Sequence, residues 1–477
     1  MFRYDFEKPW APSNELAQQH GALIERARVD GRRRGQPFLL GPDGRPDLRV
    51  NAFFASRRMQ ARSPLTWKKY AHALGLWLNF LLVLGRSWDS ATEDDAEYFK
   101  EWRLSEESNP RLVESSTFSG DLTALRSFYR WASGAYGVPD PVAAVDGLDL
   151  RPHGVRDKDI KWLDPVGYKR WRDVGLRGLD LDGRADPGWR GRNEQRDAAF
   201  ADGLYGSGLR LTEWASVLVL ELPDDDPARG YTTSYLADAC AKGGYGHKYW
   251  LPRPALLAVL DYVEGGRAKA VRRAQRDGRY ERVPGQRILL AQHGDRLRVR
   301  EPDGRHTEPP LNAVGPPGRA RLFRSTAAGL EPAALWLNED GMPRQPHGWQ
   351  HTFAAANARI AALGLPGFRC TPHMLRHSCA LRWYAVGRLA YERRFAHLDA
   401  EEQRDFRVQF GNTWDLVATM LGHRSPETTK QHYLEPFRTL DVELLLRHAQ
   451  QAAVDGFLDS YLADHPLVHS DPVRGAV

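Results

Sequence analysis

The chain contains only three cysteines, Cys240, Cys370 and Cys379, among 477 residues. No Cys-x-x-Cys pair exists, which argues against a disulfide framework or a zinc ribbon and fits a reducing cytoplasm. Long apolar runs are also missing. The most apolar stretch, Ala73 to Leu84, is short and broken by Asn79, so it reads as a buried helix and not as a membrane span. The first residues carry acids and no apolar centre, so no secretion signal is expected there. Lysine is scarce: eleven of the 67 basic residues are lysine, and after residue 200 only Lys242, Lys248, Lys269 and Lys430 remain. Arginine therefore carries most of the positive charge. His373 and His377 are spaced like metal ligands, but Met374 stands where a metalloprotease helix needs glutamate, so no metal site is expected.

What is present describes a globular protein. Apolar residues make up 42% and charged residues 27%, enough to build a core and too apolar for a disordered chain. The length calls for two or three domains. Net charge is +6 with a pI near 9.1, which favours anionic partners such as nucleic acid. A solubilising excess would give the same number, so charge alone does not decide.

Residues 1–55 are polar, with Arg32, Arg33 and Arg34 beside glycines, and read as a poorly packed extension. From Ser63 a helical pattern begins. Ser63 offers a cap and Pro64 suits the first helical position, with Trp67, Tyr70, Leu74, Leu78 and Leu81 following at helical spacing. A second helix is expected over Asp94 to Arg103. A third starts near Ser116, with Leu122, Leu125, Phe128 and Trp131 as a stripe that reads as core. Residues 56–150 thus form a small helical domain. Gly147 to Lys158 looks like a linker.

Residues 151–440 read as a larger mixed unit. A helix over Asn193 to Leu220 breaks at Tyr205-Gly-Ser-Gly208. Tyr231 to Pro252 reads as a β-ribbon around Gly243 and Gly244. Insertions fall near 265–320 and 385–410, and neither is expected to touch the motif residues. Helices return near His347 to Ala362, Met374 to Tyr384 and Thr413 to Leu421. The stretch 441–477 reads as a C-terminal helix and tail. The fold class is mainly α with a small β-sheet or hairpin.

Four segments carry chemistry: Tyr205-Gly-Ser-Gly-Leu-Arg-Leu-Thr-Glu213, Ala241-Lys-Gly-Gly244, Thr371-Pro-His-Met-Leu-Arg-His377 and Leu421-Gly-His-Arg-Ser-Pro-Glu-Thr-Thr-Lys-Gln-His-Tyr433. Breaking a phosphodiester without a metal needs a nucleophile, cations to stabilise the phosphorane, and an acid for the leaving oxygen. Arginine offers a planar fork for two phosphate oxygens and stays charged, but holds its protons too tightly to be the acid; lysine does not. Glu213, three residues after Arg210, shares its helix face and suits a carboxylate that orients Arg210 or a neighbour.

In this order the segments resemble the tyrosine recombinase family, which includes phage integrases and Xer-type proteins. The resemblance is specific over residues 195–436 and looser over 56–145, where the family carries a helical core-binding domain. It implies a mixed α+β catalytic domain with Arg210 and Arg376 on the phosphate, Lys242 as the hairpin lysine, His373 and His423 beside the phosphate, and Tyr433 as nucleophile. Lys248 is the alternative lysine. It also implies double-stranded DNA as partner, a two-domain clamp, a homotetramer on DNA, no cofactor, and a cytoplasmic protein with no membrane contact. The interval from His423 to Tyr433 is ten residues, one more than the family's usual spacing, and one residue turns a helix by about 100 degrees. Arg272, Arg273 and Arg276, in the 265–320 insertion, are candidate DNA contacts; a solvated helix face is the competing reading. Two other functions stay open: a non-catalytic DNA-binding protein with a degraded recombinase fold, and a relaxing enzyme akin to type IB topoisomerases.

Overall fold

The computed structural model describes residues 1–4, 29, 31–143, 150, 162–395, 397, 399, 401–404, 413–422 and 468–469. The chain divides into two compact units, Met1–Lys158 and Asp159–Val477.

The first unit is helical. A strand pair, β1 (Phe2–Arg3) and β2 (Pro37–Phe38), precedes helices α1 (Leu48–Ala55), α2 (Pro64–Val83), α3 (Glu93–Leu104) and α4 (Ser115–Tyr136). The helix starts are written in the sequence. The Ser63 hydroxyl accepts from Thr66 N, and Thr92 and Asp95 form a reciprocal capping box at α3. Helix α4 ends at Gly137, whose φ of 68° is a left-handed cap. The aromatic stripe lies inside: Trp77, Phe80, Phe99, Phe128 and Tyr129 pack largely edge to face, with centroids 5.1–6.4 Å apart. Trp77 Nε1 donates to the Tyr129 hydroxyl at 2.8 Å, which donates in turn to the Trp88 carbonyl at 2.8 Å.

One expectation is corrected here. The part of residues 1–55 described is not a loose arm. Asp47 caps α1 and also accepts from Trp88 Nε1, while Val50, Phe53 and Phe54 are buried in the helical core. The polar composition of the segment hid a helix that contributes only three apolar anchors.

In the second unit, β3 (Trp162–Leu163) leads to α5 (Pro165–Gly175), α6 (Glu194–Ser207) and the one-turn helix α7 (Leu211–Trp214). The ribbon is β4 (Tyr231–Leu236) antiparallel to β5 (His247–Pro252). Helices α8 (Arg253–Tyr262) and α9 (Ala268–Arg276) follow. Then come strands β6 (Arg287–His293), β7 (Arg296–Arg300), β8 (His306–Thr307), β9 (Leu322–Thr326) and β10 (Gly329–Pro332). Helices α10 (Pro346–Ala362), α11 (Pro372–Phe395) and α12 (Thr413–Leu421) follow, and β11 (Val468–His469) pairs parallel to β3. The main core gathers Trp171, Phe200, Trp214, Trp336, Trp349 and Leu375.

The 265–320 insertion is no loop-rich excursion. It builds most of a five-stranded sheet ordered β10-β9-β6-β7-β8. Leu297, Val299 and Leu322 face one small core, whereas Ile288 and Phe323 meet Val271 and Ala274 of α9 on the other face. Helix α11 also runs longer than Met374 to Tyr384, reaching Phe395. The C-terminal helix expected to open the stretch 441–477 lies outside the described residues. Among the described residues no helix is long and apolar enough to cross a membrane.

The Tyr129 hydroxyl bridges two buried groups, so its removal leaves both an acceptor and a donor unsatisfied. Tyr129→Phe is expected to destabilise the helical unit by about 1–3 kcal/mol, measured as a lowered urea midpoint in the full chain.

Candidate functional site

The site is assembled around a carboxylate. Gly208, at a φ of 66°, closes α6 in the left-handed region, and the chain turns at once into α7. Gly208 is required twice over. An added Cβ would lie 2.8 Å from Leu421 and 3.0 Å from the Cys379 sulfur. Arg210 then stands at the N-terminal boundary of α7 and Glu213 is its third residue. The Glu213 carboxylate, 0% exposed, accepts from the Arg210 backbone N–H at 2.8 Å and from Arg210 Nη1 at 2.8 Å. It also accepts from the Lys242 backbone N–H at 3.1 Å. Burial raises the pKa of Glu213, but the charge of Arg210, its backbone N–H, the charge of Arg376 and the Lys242 N–H outweigh it, and the carboxyl stays below its ordinary range.

Arg376 approaches from α11 and is 2% exposed. Helix α11 begins at Pro372, where the Thr371 hydroxyl accepts from Met374 N. One turn on, Arg376 Nη1 donates to the Gly208 carbonyl and Nη2 to the Leu421 carbonyl at 2.8 Å. This single guanidinium therefore ties the ends of α6 and α12 to the start of α11. Arg210 keeps 29% of its side chain exposed, so one arginine is a fixed strut and the other reaches solvent.

Lys242 lies in the turn between β4 and β5 and is exposed. Its loop is held from below. Asp238 accepts from Gly246 N at 2.6 Å and bonds the Asn312 side-chain amide, while Ala239 N donates to the Asn312 carbonyl at 3.1 Å. The insertion expected to stay clear of the motifs thus braces the loop that carries the lysine. Lys248, the alternative, lies on β5 opposite Tyr235 and is exposed.

His373 is exposed on the first turn of α11, with its ring centroid 4.2 Å from that of buried His377. His423 and Tyr433 lie outside the described residues. The structure brings Arg210, Glu213, the Lys242 loop, Arg376 and Leu421 together, whereas Arg272, Arg273 and Arg276 are exposed on α9. No group of three or more His, Cys, Asp or Glu residues suited to a metal ion occurs among the described residues.

Sequence reasoning passed over His247, the first residue of β5. Its ring lies against Gly422, where an added Cβ would sit 2.3 Å from three ring atoms. Both ring nitrogens are buried and make no hydrogen bond among the described residues. Burial lowers its pKa, Glu213 opposes, and the charges of Arg376 and Arg210 lower it further, so the imidazole is neutral at neutral pH. The available signal was a histidine opening the strand directly after the lysine turn.

Residues 51–135 match the family model described as phage integrase, N-terminal SAM-like domain. The match covers the helical part of the first unit and does not extend to the second. Among solved structures, it is similar to the XerH site-specific recombinase in a post-cleavage complex with palindromic difH substrate. That match has 13% identity, covers 83% of this chain and 82% of the other, and has a TM-score of 0.46. The Tn1549 transposon integrase in complex with transposon right end DNA matches at 14% identity, 85% and 99% coverage and a TM-score of 0.45. A lambda integrase dimer bound to a COC′ core site matches at 11% identity, 89% and 87% coverage and a TM-score of 0.44. A search of curated protein sequences finds no match.

Because the folded pKa of Glu213 is depressed below the ordinary 4.5, its contribution to stability is present above that value and lost as pH falls through the folded pKa. Glu213→Gln leaves two arginines without their buried counter-charge. It is expected to cost about 3 kcal/mol at pH 7 and to flatten the acid limb of a stability profile measured by denaturant titration between pH 3 and 7.

Proposed function

We propose that the protein is a site-specific DNA recombinase that cuts and rejoins strands through a 3′-phosphotyrosyl intermediate. The observation that carries this reading is the convergence of Arg210, Arg376 and the Lys242 loop on buried Glu213. Such an arrangement fixes cations before substrate arrives, so no reorganisation is needed when charge develops on phosphorus.

In the proposed reaction the Tyr433 hydroxyl loses its proton and its oxygen attacks the phosphorus. The bond to the 5′ oxygen breaks, the phosphate stays on the tyrosine, and the departing oxygen takes a proton to become a 5′-hydroxyl. Lys242 is the proposed acid, since arginine cannot release a proton. Arg210 and Arg376 stabilise the phosphorane. His373 and His423 are assigned to the phosphate and to the tyrosine proton. The ester conserves the bond energy, so attack by another 5′-hydroxyl reverses the sequence without a nucleotide cofactor. Double-stranded DNA is the proposed partner, held largely through its backbone, with Arg272, Arg273 and Arg276 as further contacts, and four protomers as the recombining assembly.

The test is a covalent trap. Purified protein with chelator is mixed with nicked duplexes carrying candidate sites, and denaturing gels report adducts. An adduct mapping to Tyr433 and absent from Tyr433→Phe, which still binds the same DNA, is the expected result. Tight binding with no adduct would favour a DNA-binding protein that has lost catalysis. Relaxation of a supercoiled plasmid lacking any matched pair of sites would favour the topoisomerase-like reading.

A further inference from the structure

The inserted sheet carries a charged surface that the catalytic constellation does not use. On β7 the burial alternates strictly: Leu297 and Val299 are buried, while Arg296, Arg298 and Arg300 are exposed. The register identifies the exposed side. Arg300 pairs with Ile288, whose side chain belongs to the cluster formed with α9. Cross-strand partners share a face, so the three arginines lie on the α9 face of the sheet. That helix meets β10 and the clustered side chains Phe323 of β9 and Ile288 of β6, beside the β7 stripe. Exposed His293, partner of Arg296, and exposed His306, partner of Arg300, flank the stripe on β6 and β8.

Several arginines in this region are paired with acids. Arg287 pairs with Glu301, Arg305 with Asp303, Arg324 with Glu331 and buried Arg319 with Glu221. The side chains of Arg298 and Arg300 have no hydrogen bond or ion pair among the described residues, and that of Arg296 reaches only the Glu308 carbonyl. On α9, Lys269, Arg272 and Arg276 are exposed and line a cleft of about 590 Å³. Among the described residues, Arg273 alone of that group has an acid partner, Glu339 at 3.6 Å.

Alternate residues on a strand lie about 6.7 Å apart, so three arginines in a row present a linear array of forks. An array of that kind suits the regularly spaced phosphates of a nucleic-acid strand. Aromatic side chains, on which unpaired bases would stack, do not occur at the exposed positions of this stripe. Phe323, on the same face, is fully buried under α9. The chemistry therefore favours the backbone of a duplex over single strands.

We infer that the α9 face of the five-stranded sheet, with Arg296, Arg298 and Arg300 at its centre, is an accessory surface for the phosphate backbone of duplex DNA. It rests on the reading of the protein as a DNA recombinase, and assigns the insertion a contact separate from the cleavage pocket.

The experiment compares the full-length parent with R296Q/R298Q/R300Q and with R296K/R298K/R300K. Binding to a mixed-sequence duplex is followed by fluorescence anisotropy across salt concentrations, and adduct formation is followed on a short nicked substrate. The glutamine variant is expected to bind about tenfold more weakly and to lose roughly two to three from the slope of log affinity against log salt. Its adduct yield on the short substrate should match the parent, which also shows that the site remains folded. The lysine variant should keep most of the slope, because the charges remain. An unchanged slope in the glutamine variant overturns the inference while leaving the recombinase reading intact. Loss of binding in the lysine variant as well overturns it too, since charge would not be the cause. A parent that binds no duplex overturns both.

Discussion

The buried carboxylate of Glu213 is the constraint on which the site depends. A carboxylate with no solvent contact must be compensated by charge and hydrogen bonds, or it will take up a proton or destabilise the fold. Here the compensation comes from three places in the chain: the arginine three residues earlier, the backbone of the lysine turn, and the field of an arginine from a helix more than 160 residues away in sequence. Each of these partners would be costly to bury alone. Held together they form one unit, and the geometry offered to a phosphate is set before any phosphate is bound.

A second layer of support explains how so arginine-rich a chain avoids repelling itself. Many of its arginines act as struts. Arg319 joins Glu221 to the carbonyls of Ser216 and Val314, Arg267 joins Glu331 to the Pro332 and Ala334 carbonyls, and Arg359 spans Val174, Leu179 and Asp186. Five donors in a rigid fork allow one side chain to close several loops at once, which lysine cannot do. Against this background the cations of α9 and β7 that have no acid partner among the described residues stand out. The insertion also earns a mechanical role. Asn312 grips the loop below Lys242, so the segment that looks additional in sequence is part of the site's framework.

The helices of the first unit were legible because their signals are local. Ser63-Pro64, the Thr92–Asp95 box and the apolar spacing of Leu122, Leu125 and Phe128 lie within a few turns of one another. The ribbon was legible for the same reason, through its glycines. Helix α1 was not, because Leu48 to Ala55 has three anchors whose partners, Phe128 and Trp131 among them, are some 75 residues away. The strands of the insertion were hidden by composition. Arg-Leu-Arg-Val-Arg alternates as a strand should, but the surrounding arginines, glycines and prolines resemble a loop, and the sheet needs β9 and β10 from beyond residue 320 to close.

The sequence alone determined the helical character of the first unit, the order of the four chemical segments, and the residue types that phosphate chemistry demands, because these rest on short-range periodicity and on side-chain chemistry. Tertiary structure alone decided that Glu213 latches both Arg210 and the Lys242 turn, and that Arg376 braces two other helix ends. It alone brought His247 against Gly422 and set three β7 arginines on one face with α9. Those outcomes depend on burial, strand register and contacts between distant segments, and no local pattern encodes them.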